Sequence, residues 1–318
     1  MKKFGILRLN TSPYFSPDFL MNEKLSLENQ TGITYLSNKE VKDFSEVILI
    51  SNTHSDLSEL GESILEKTKL IIHSNSGYDN LIKDYDLIEK IPTLIGHEIR
   101  AQAVADYILA ALIDGTSSIP HVHFWDSSRK WPRKLISELR VALFGFGHIG
   151  KIVFQTLKSL NLNITIFDPY KENCQVFKED TDLSHFDLII SSMSLNERNH
   201  HFFNSVFFKK LNSDVIFINA ARGKLVEEKS LIEFLINNPN AKAYLDVFEK
   251  EPFTDKWNLI SNAFKSSHIA GVYGNIDQNT ILFETRVVQD FFSYGLDKFL
   301  QKYHTQLLQS KIYQGIFI

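Results

Sequence analysis

Short apolar runs recur through the middle of the chain at 141–145, 164–168, 187–191, 215–219 and 243–247, with polar stretches between them. Each run is long enough for a buried strand, and each gap is long enough for a crossover helix. That pattern predicts a parallel βαβ sheet. In the first gap, residues 151–160 place Ile152, Val153, Phe154, Leu157 and Leu160 on a helical stripe. A similar helix fits 230–237, with Leu231, Phe234 and Leu235 inward. The first hundred residues repeat the pattern less cleanly. Runs at 4–9, 33–36, 47–50 and 70–73 read as strands separated by loops or helices, which predicts a second, smaller α/β domain. A loop near 96–101 feeds an amphipathic helix, 102–113, with Val104, Ile108, Ala111 and Leu112 on one face. Past 275–280 the sheet pattern ends, and a long helix, 281–292, can return the chain to the first domain. The expected organisation is one domain made of 1–98 and 279–318 and another of 99–278.

The chain has 318 residues, about two domains' worth. It is 43% hydrophobic and 23% charged, an ordinary globular composition. A net charge of −4 makes no electrostatic case for a nucleic-acid or anionic membrane partner. No window approaches ~18 consecutive apolar residues, so no membrane span is expected. The beginning of the chain has no apolar stretch of signal-peptide length before Arg8. The single cysteine, Cys174, excludes an intrachain disulfide and a Cys-rich zinc site and fits a reducing compartment. A soluble, cytoplasmic protein is the expectation.

Glycine is scarce, at 14 residues, so its clustering carries information. Gly145-Phe146-Gly147-His148-Ile149-Gly150 follows a predicted strand and opens a predicted helix. In that setting the first glycine allows a tight turn, the second lets the backbone approach a pyrophosphate, and the third lets helix and strand pack closely. The N–H groups at the helix start then face the phosphates. Asp168 closes the next predicted strand 18 residues beyond Gly150, close to the about 20 the fingerprint needs. Its carboxylate can accept a ribose 2′-hydroxyl and repels a 2′-phosphate, so NAD is favoured over NADP, with Lys171 nearby as the counter-argument. The fold class expected is a Rossmann-type doubly wound parallel sheet plus the smaller α/β domain.

Three further segments sit just past predicted strands, where an open α/β sheet places its ligand crevice. They are Asn219-Ala220-Ala221-Arg222-Gly223, the stretch from Asp246 through Glu249, Glu251 and Pro252, and Ser267-His268-Ile269-Ala270-Gly271. With the glycine turn, with Ser76-Gly77-Tyr78-Asp79-Asn80 and with Val104-Ala105-Asp106, the chain resembles the D-isomer-specific 2-hydroxyacid dehydrogenase family over most of its length. The combination in this order is specific, whereas each motif alone is not. The resemblance implies a flavodoxin-like substrate domain, NAD as cofactor and a small 2-hydroxyacid or 2-oxoacid as substrate. It also implies a homodimer and no metal, although His97, His121, His123, His200 and His201 bring ligands to mind. It places the catalytic arginine at Arg222, the acidic partner at Glu251 and the acid–base histidine at His268, with Glu249 structural. Ser76 and Gly77 match the loop that receives the substrate carboxylate. Asp246 matches the acid that meets the nicotinamide carboxamide, and Ala221 belongs to the nicotinamide wall. Tyr78 and Trp257 are candidates to line the pocket.

The chemistry explains these residue types. Reducing a 2-oxoacid adds a hydride to carbon and a proton to oxygen, and a histidine can give that proton and take it back. A neighbouring carboxylate stabilises the imidazolium. A guanidinium can hold the substrate carboxylate and polarise the carbonyl together. Some positions depart from the family pattern. Ser194-Leu195 stands where Pro-Leu is common, and Ser266-Ser267 stands where Thr-Pro is common, which loosens the backbone before His268. The loop 50–54 lacks the arginines with which phosphoglycerate dehydrogenases hold a phosphate. Arg100 replaces a common Asn and has two readings, a surface residue or a second positive charge over the substrate. A rival to the enzyme reading is a non-enzymatic NAD(H) sensor or corepressor on the same scaffold.

Overall fold

All nine strands read from the apolar runs are present in the structure, a computed structural model that describes residues 3–131, 133–313 and 316–317. The chain divides into two units, Met1–Ala101 with Val272–Ile318, and Gln102–Gly271.

In the first unit, β1 (Phe4–Arg8), β2 (Thr34–Leu36), β3 (Glu46–Ser51), β4 (Thr68–His73) and β5 (Thr93–Ile95) form one sheet in the order β2-β1-β3-β4-β5. Every pair is parallel. This is the flavodoxin-like order. Side chains alternate along β3. Ile48 and Ile50 join Ile6, Leu70, Phe283 and Val287 on one face, and Val47 and Leu49 join Leu7, Leu36 and Ile71 on the other. Both faces are therefore buried, which is why the strands read as continuous apolar runs. The helix Ile276–Tyr294 belongs to this unit and supplies Phe283, Val287 and Val288 to its core.

In the second unit, β6 (Arg140–Phe144), β7 (Asn163–Phe167), β8 (Leu188–Ser191), β9 (Ile216–Asn219), β10 (Lys242–Leu245) and β11 (Ala263–Lys265) form a parallel sheet in the order β11-β10-β9-β8-β6-β7. The winding reverses at β6, which has β7 on one side and β8 on the other. That is the switch point where a doubly wound sheet binds its ligand. A single parallel bridge, Phe167 to Gln175, lies where a Rossmann sheet carries its third strand. One face is rich in phenylalanine. Phe144, Phe203, Phe207, Phe208 and Phe217 pack largely edge to face. Such pairs add about 0.5–1.5 kcal/mol each beyond their buried area.

Several details differ from the sequence reading. The sequence pattern singled out no strand at β5 or β11, each of three residues. The expected loop at 96–101 is mostly helix, since His97–Ser117 is continuous. Its first turn, His97-Glu98-Ile99-Arg100, has one apolar residue and so no stripe. The gap between β7 and β8 holds no helix among the described residues. Among the described residues no helix is long and apolar enough to cross a membrane.

Candidate active site

The three glycines of the turn after β6 have different reasons to be glycine. Gly145 has φ +95°, where side chains are strained, and a Cβ there would lie 2.8 Å from the Met193 nitrogen. A Cβ on Gly150 would lie 2.2 Å from the Gly145 carbonyl oxygen. A Cβ on Gly147 would meet nothing within 4 Å. No protein contact requires glycine at 147, whereas a dinucleotide approaching the backbone would. The helix His148–Ser159 begins with Gly147 as its N-cap and no side-chain cap, so its dipole end is open to an anion. His148 is exposed there, and Ile149 is partly buried against the helix-side core. Ser192, unnoticed in the sequence, donates to the carbonyls of Gly145 (2.7 Å) and Phe144 (3.1 Å) and fixes the turn. Asp168 is buried, and its carboxylate accepts from the N–H groups of Phe146 (2.7 Å) and Tyr170 (2.9 Å). These residues fit a pyrophosphate and its ribose.

Asn219 closes β9 and braces the next turn. Its Oδ1 accepts from the Ala221 N–H (3.1 Å), and its Nδ2 donates to the Arg222 carbonyl (3.0 Å). A Cβ on Gly223 would lie 1.9 Å from the Phe248 carbonyl. Glycine there lets the Arg222 turn press against the segment that carries Glu251. Glu251 Oε1 accepts from the Phe248 N–H (3.1 Å), and Oε2 lies 2.8 Å from His268 Nδ1. Burial pushes the Glu251 carboxyl up. The hydrogen bond and charge of His268, the Phe248 N–H and the Arg222 charge outweigh burial and hold it below the usual carboxylate range. The side chains of His268 and Glu251 are 56% and 38% exposed, so the pair is open to solvent. With Nδ1 on the carboxylate, His268 Nε2 is the atom without a hydrogen-bond partner among the described residues.

Asp246, at the end of β10, holds the histidine in place. Its Oδ1 accepts from Ser266 Oγ (2.6 Å) and the Ile269 N–H (2.8 Å), and its Oδ2 from the Ala270 N–H (2.8 Å). Its carbonyl accepts from the His268 N–H (2.9 Å). His268 itself has φ +55°, a costly conformation that persists only where neighbours impose it. The backbone expected to be loose for lack of a proline is therefore tied down by Asp246. Three internal donors take the carboxylate that the resemblance assigned to the nicotinamide carboxamide, leaving one acceptor position on Oδ2. Glu249 is engaged elsewhere, with His201 Nε2 (2.9 Å) and the Glu228 N–H (3.1 Å).

In the first unit, the loop 74–77 follows β4. The N–H groups of Asn75, Ser76 and Gly77 have no hydrogen-bond partner among the described residues. Arg100 is not a surface residue. It is 7% exposed, and it donates to the Ser74 carbonyl (2.6 Å) and the Tyr14 hydroxyl (2.6 Å). Tyr78 and Trp257 are core residues at 7% and 0% exposure, so packing and not pocket lining explains both. Within the loop 50–54 the Ser51 and Asn52 side chains are turned inward, whereas Thr53 and His54 are exposed. Ser51 bonds His73, and Asn52 bonds His54 and Asn10. Among the described residues no three His, Cys, Asp or Glu side chains are grouped to hold a metal.

The fold and the glycine turn together define a dinucleotide-binding α/β protein. The family described as D-isomer specific 2-hydroxyacid dehydrogenase, NAD binding domain, matches residues 110–270. The chain belongs to that family, and its second unit contains the NAD-binding domain. It is 27% identical over 310 residues to glyoxylate/hydroxypyruvate reductase B of Escherichia fergusonii, covering 83% of this chain and 95% of that protein. It is 26% identical over 268 residues to D-3-phosphoglycerate dehydrogenase of Archaeoglobus fulgidus, covering 80% of this chain and spanning half the length of that protein. Among solved structures, D-lactate dehydrogenase from Aquifex aeolicus complexed with NAD and lactic acid shares the fold, with a TM-score of 0.70 at 18% identity. That match covers 96% of this chain and 99% of the other.

Proposed function

We propose that this protein is an NAD-dependent oxidoreductase that interconverts a small D-2-hydroxyacid and its 2-oxoacid. The observation that carries the reading is the His268–Glu251 pair, 2.8 Å apart, with His268 Nε2 unengaged. Bound NADH supplies the hydride. His268 delivers a proton from Nε2 to the carbonyl oxygen during reduction and recovers it during oxidation. Glu251 orients the ring through Nδ1 and stabilises its charged form. Arg222 holds the substrate carboxylate and polarises the carbonyl, a task suited to a forked guanidinium. The turn 145–150 holds the cofactor's pyrophosphate, and Asp168 holds the adenosine ribose. Ala221 lies in the nicotinamide wall, and Asp246 takes the carboxamide on its remaining acceptor position.

The N–H groups of Asn75, Ser76 and Gly77 serve as donors to a substrate carboxylate. A non-phosphorylated 2-oxoacid is the better substrate, because the loop 50–54 carries no lysine or arginine and the Ser51 and Asn52 side chains are spent internally. Arg100, buried under Ser74, does not itself contact substrate.

Steady-state NADH oxidation tests this reading with glyoxylate, hydroxypyruvate, a dicarboxylic 2-oxoacid and 3-phosphohydroxypyruvate. Turnover with one of the first three at the highest kcat/KM is expected, with NADH preferred over NADPH by at least about tenfold, or ~1.4 kcal/mol. Preference for the phosphorylated compound would overturn the substrate class. Equal use of NADPH would overturn the role of Asp168.

A further inference from the structure

Two buried groups grip the carbonyls of the loop 74–77 from beneath. His73, at the end of β4 and fully buried, lies 3.0 Å from Ser51 Oγ through Nδ1 and 2.7 Å from the Gly77 carbonyl through Nε2. A serine hydroxyl on Nδ1 and a carbonyl on Nε2 together select the tautomer that donates from Nε2. At the other end of the loop, Arg100 donates to the Ser74 carbonyl. A trans peptide carries its C=O and N–H on opposite sides. Drawing the Ser74 carbonyl inward therefore turns the Asn75 N–H away from the interior. Holding the Gly77 carbonyl fixes the far end of the same short loop. Between them lie the three unpartnered N–H groups of Asn75, Ser76 and Gly77.

The charge of Arg100 is a second observation. Its partners are neutral: the Ser74 carbonyl, the Tyr14 hydroxyl and the Tyr14 ring, 5.5 Å away. No carboxylate pairs with it among the described residues. A guanidinium at 7% exposure without a counter-ion is unfavourable in isolation. An anion arriving on the loop above it supplies the missing charge.

We infer that His73 and Arg100 are positioning residues that shape the loop 74–77 into a receiver for the substrate's carboxylate. His73 acts by holding the Gly77 carbonyl. Arg100 acts by holding the Ser74 carbonyl and by lending its charge. The inference rests on the proposed reading of this loop as the carboxylate site.

The test compares hydroxypyruvate with its methyl ester in the full-length protein. Wild type, His73→Leu, His73→Gln, Arg100→Met and Arg100→Lys are assayed, with NADH affinity by fluorescence titration as the check on folding. Wild type is expected to favour the acid. His73→Leu and Arg100→Met are expected to raise KM for the acid about 10–100-fold, the range of a lost hydrogen bond to a charged group, while kcat, NADH affinity and KM for the ester change little. His73→Gln, which keeps a donor, and Arg100→Lys, which keeps the charge, are expected to recover most of the loss. A wild type that treats acid and ester alike overturns the reading of the loop itself. A wild type that favours the acid, with variants that keep that preference in full or lose acid and ester equally, overturns the roles of His73 and Arg100 alone.

Discussion

The Glu251–His268 pair of the second unit and the Arg8–Glu23–Glu284 cluster of the first are both hydrogen-bonded groups of opposite charge, in opposite surroundings. Arg8 is 3% exposed, and Glu23 and Glu284 are 0% exposed. Arg8 Nε faces both Glu23 oxygens at 2.7 and 2.8 Å, and Nη2 bridges Glu23 and Glu284. Burial pushes the Glu284 carboxyl well above its usual range, and Arg8 offsets only part of that. Burial also pushes Glu23 up, but the Arg8 charge and the hydrogen bonds with Glu284, Arg8 and Tyr35 hold it below the usual range. The two carboxyls are thus pushed in opposite directions, Glu23 toward its charged form and Glu284 toward its neutral one. All three side chains are closed to solvent. The pair in the second unit keeps one carboxylate charged but leaves the histidine more than half exposed. Similar residue types therefore serve two purposes. The closed cluster fixes β1 and the helices Phe19–Thr31 and Ile276–Tyr294 to one another. In the proposed reaction the open pair exchanges a proton with a substrate.

Substitutions should separate the two. The largest effect is expected for His268→Ala, with reduction slowed on the order of 10²–10⁴-fold while NADH affinity holds. Wild-type kcat on a substrate with rate-limiting chemistry would remove His268 from the role. Next is Glu23→Gln, which leaves Arg8 without its anion in a closed site. It should cost about 3–5 kcal/mol in urea unfolding, and a loss under 1 kcal/mol would mean that the cluster is not closed. Glu251→Gln should be milder. Without the anion beside His268, the pH above which reduction fails should move lower, and an unchanged profile would separate the two residues. Glu284→Gln is expected to have the smallest effect, near zero at acidic pH, because the amide mimics the neutral acid already present. A buried acid with a raised folded value releases its proton more readily when unfolded, so wild type loses stability as pH rises above the usual glutamate value, 4.5. The variant lacks that loss. Parallel stability–pH curves for the two proteins would contradict the assignment.

The sheets were legible in the sequence because both faces of each are buried, which leaves uninterrupted apolar runs such as Val47 to Ile50. The glycine turn was legible because its spacing is local. Contacts made by residues far apart were not. Nothing near Arg100 in the sequence shows that Tyr14 and Ser74 enclose it. Nothing near Ser266 shows that Asp246 substitutes for a missing proline. His73 reads as one more residue of a strand until Gly77 folds back over it. Glu251 and Glu249 are two residues apart in similar surroundings. The resemblance already pointed to Glu251 as the partner of His268, and the fold adds that Glu249 meets His201.

In the proposed reaction the open pair passes a proton to a carbonyl as a hydride arrives on one face. This step is tested most directly by incubating the protein with hydroxypyruvate and NADH and resolving the enantiomers of the glycerate formed. One D-glycerate is expected for each NADH consumed, with negligible product from His268→Ala. Tight NADH binding with no 2-hydroxyacid formed from this or any other 2-oxoacid offered, or formation of the L-enantiomer, would contradict it.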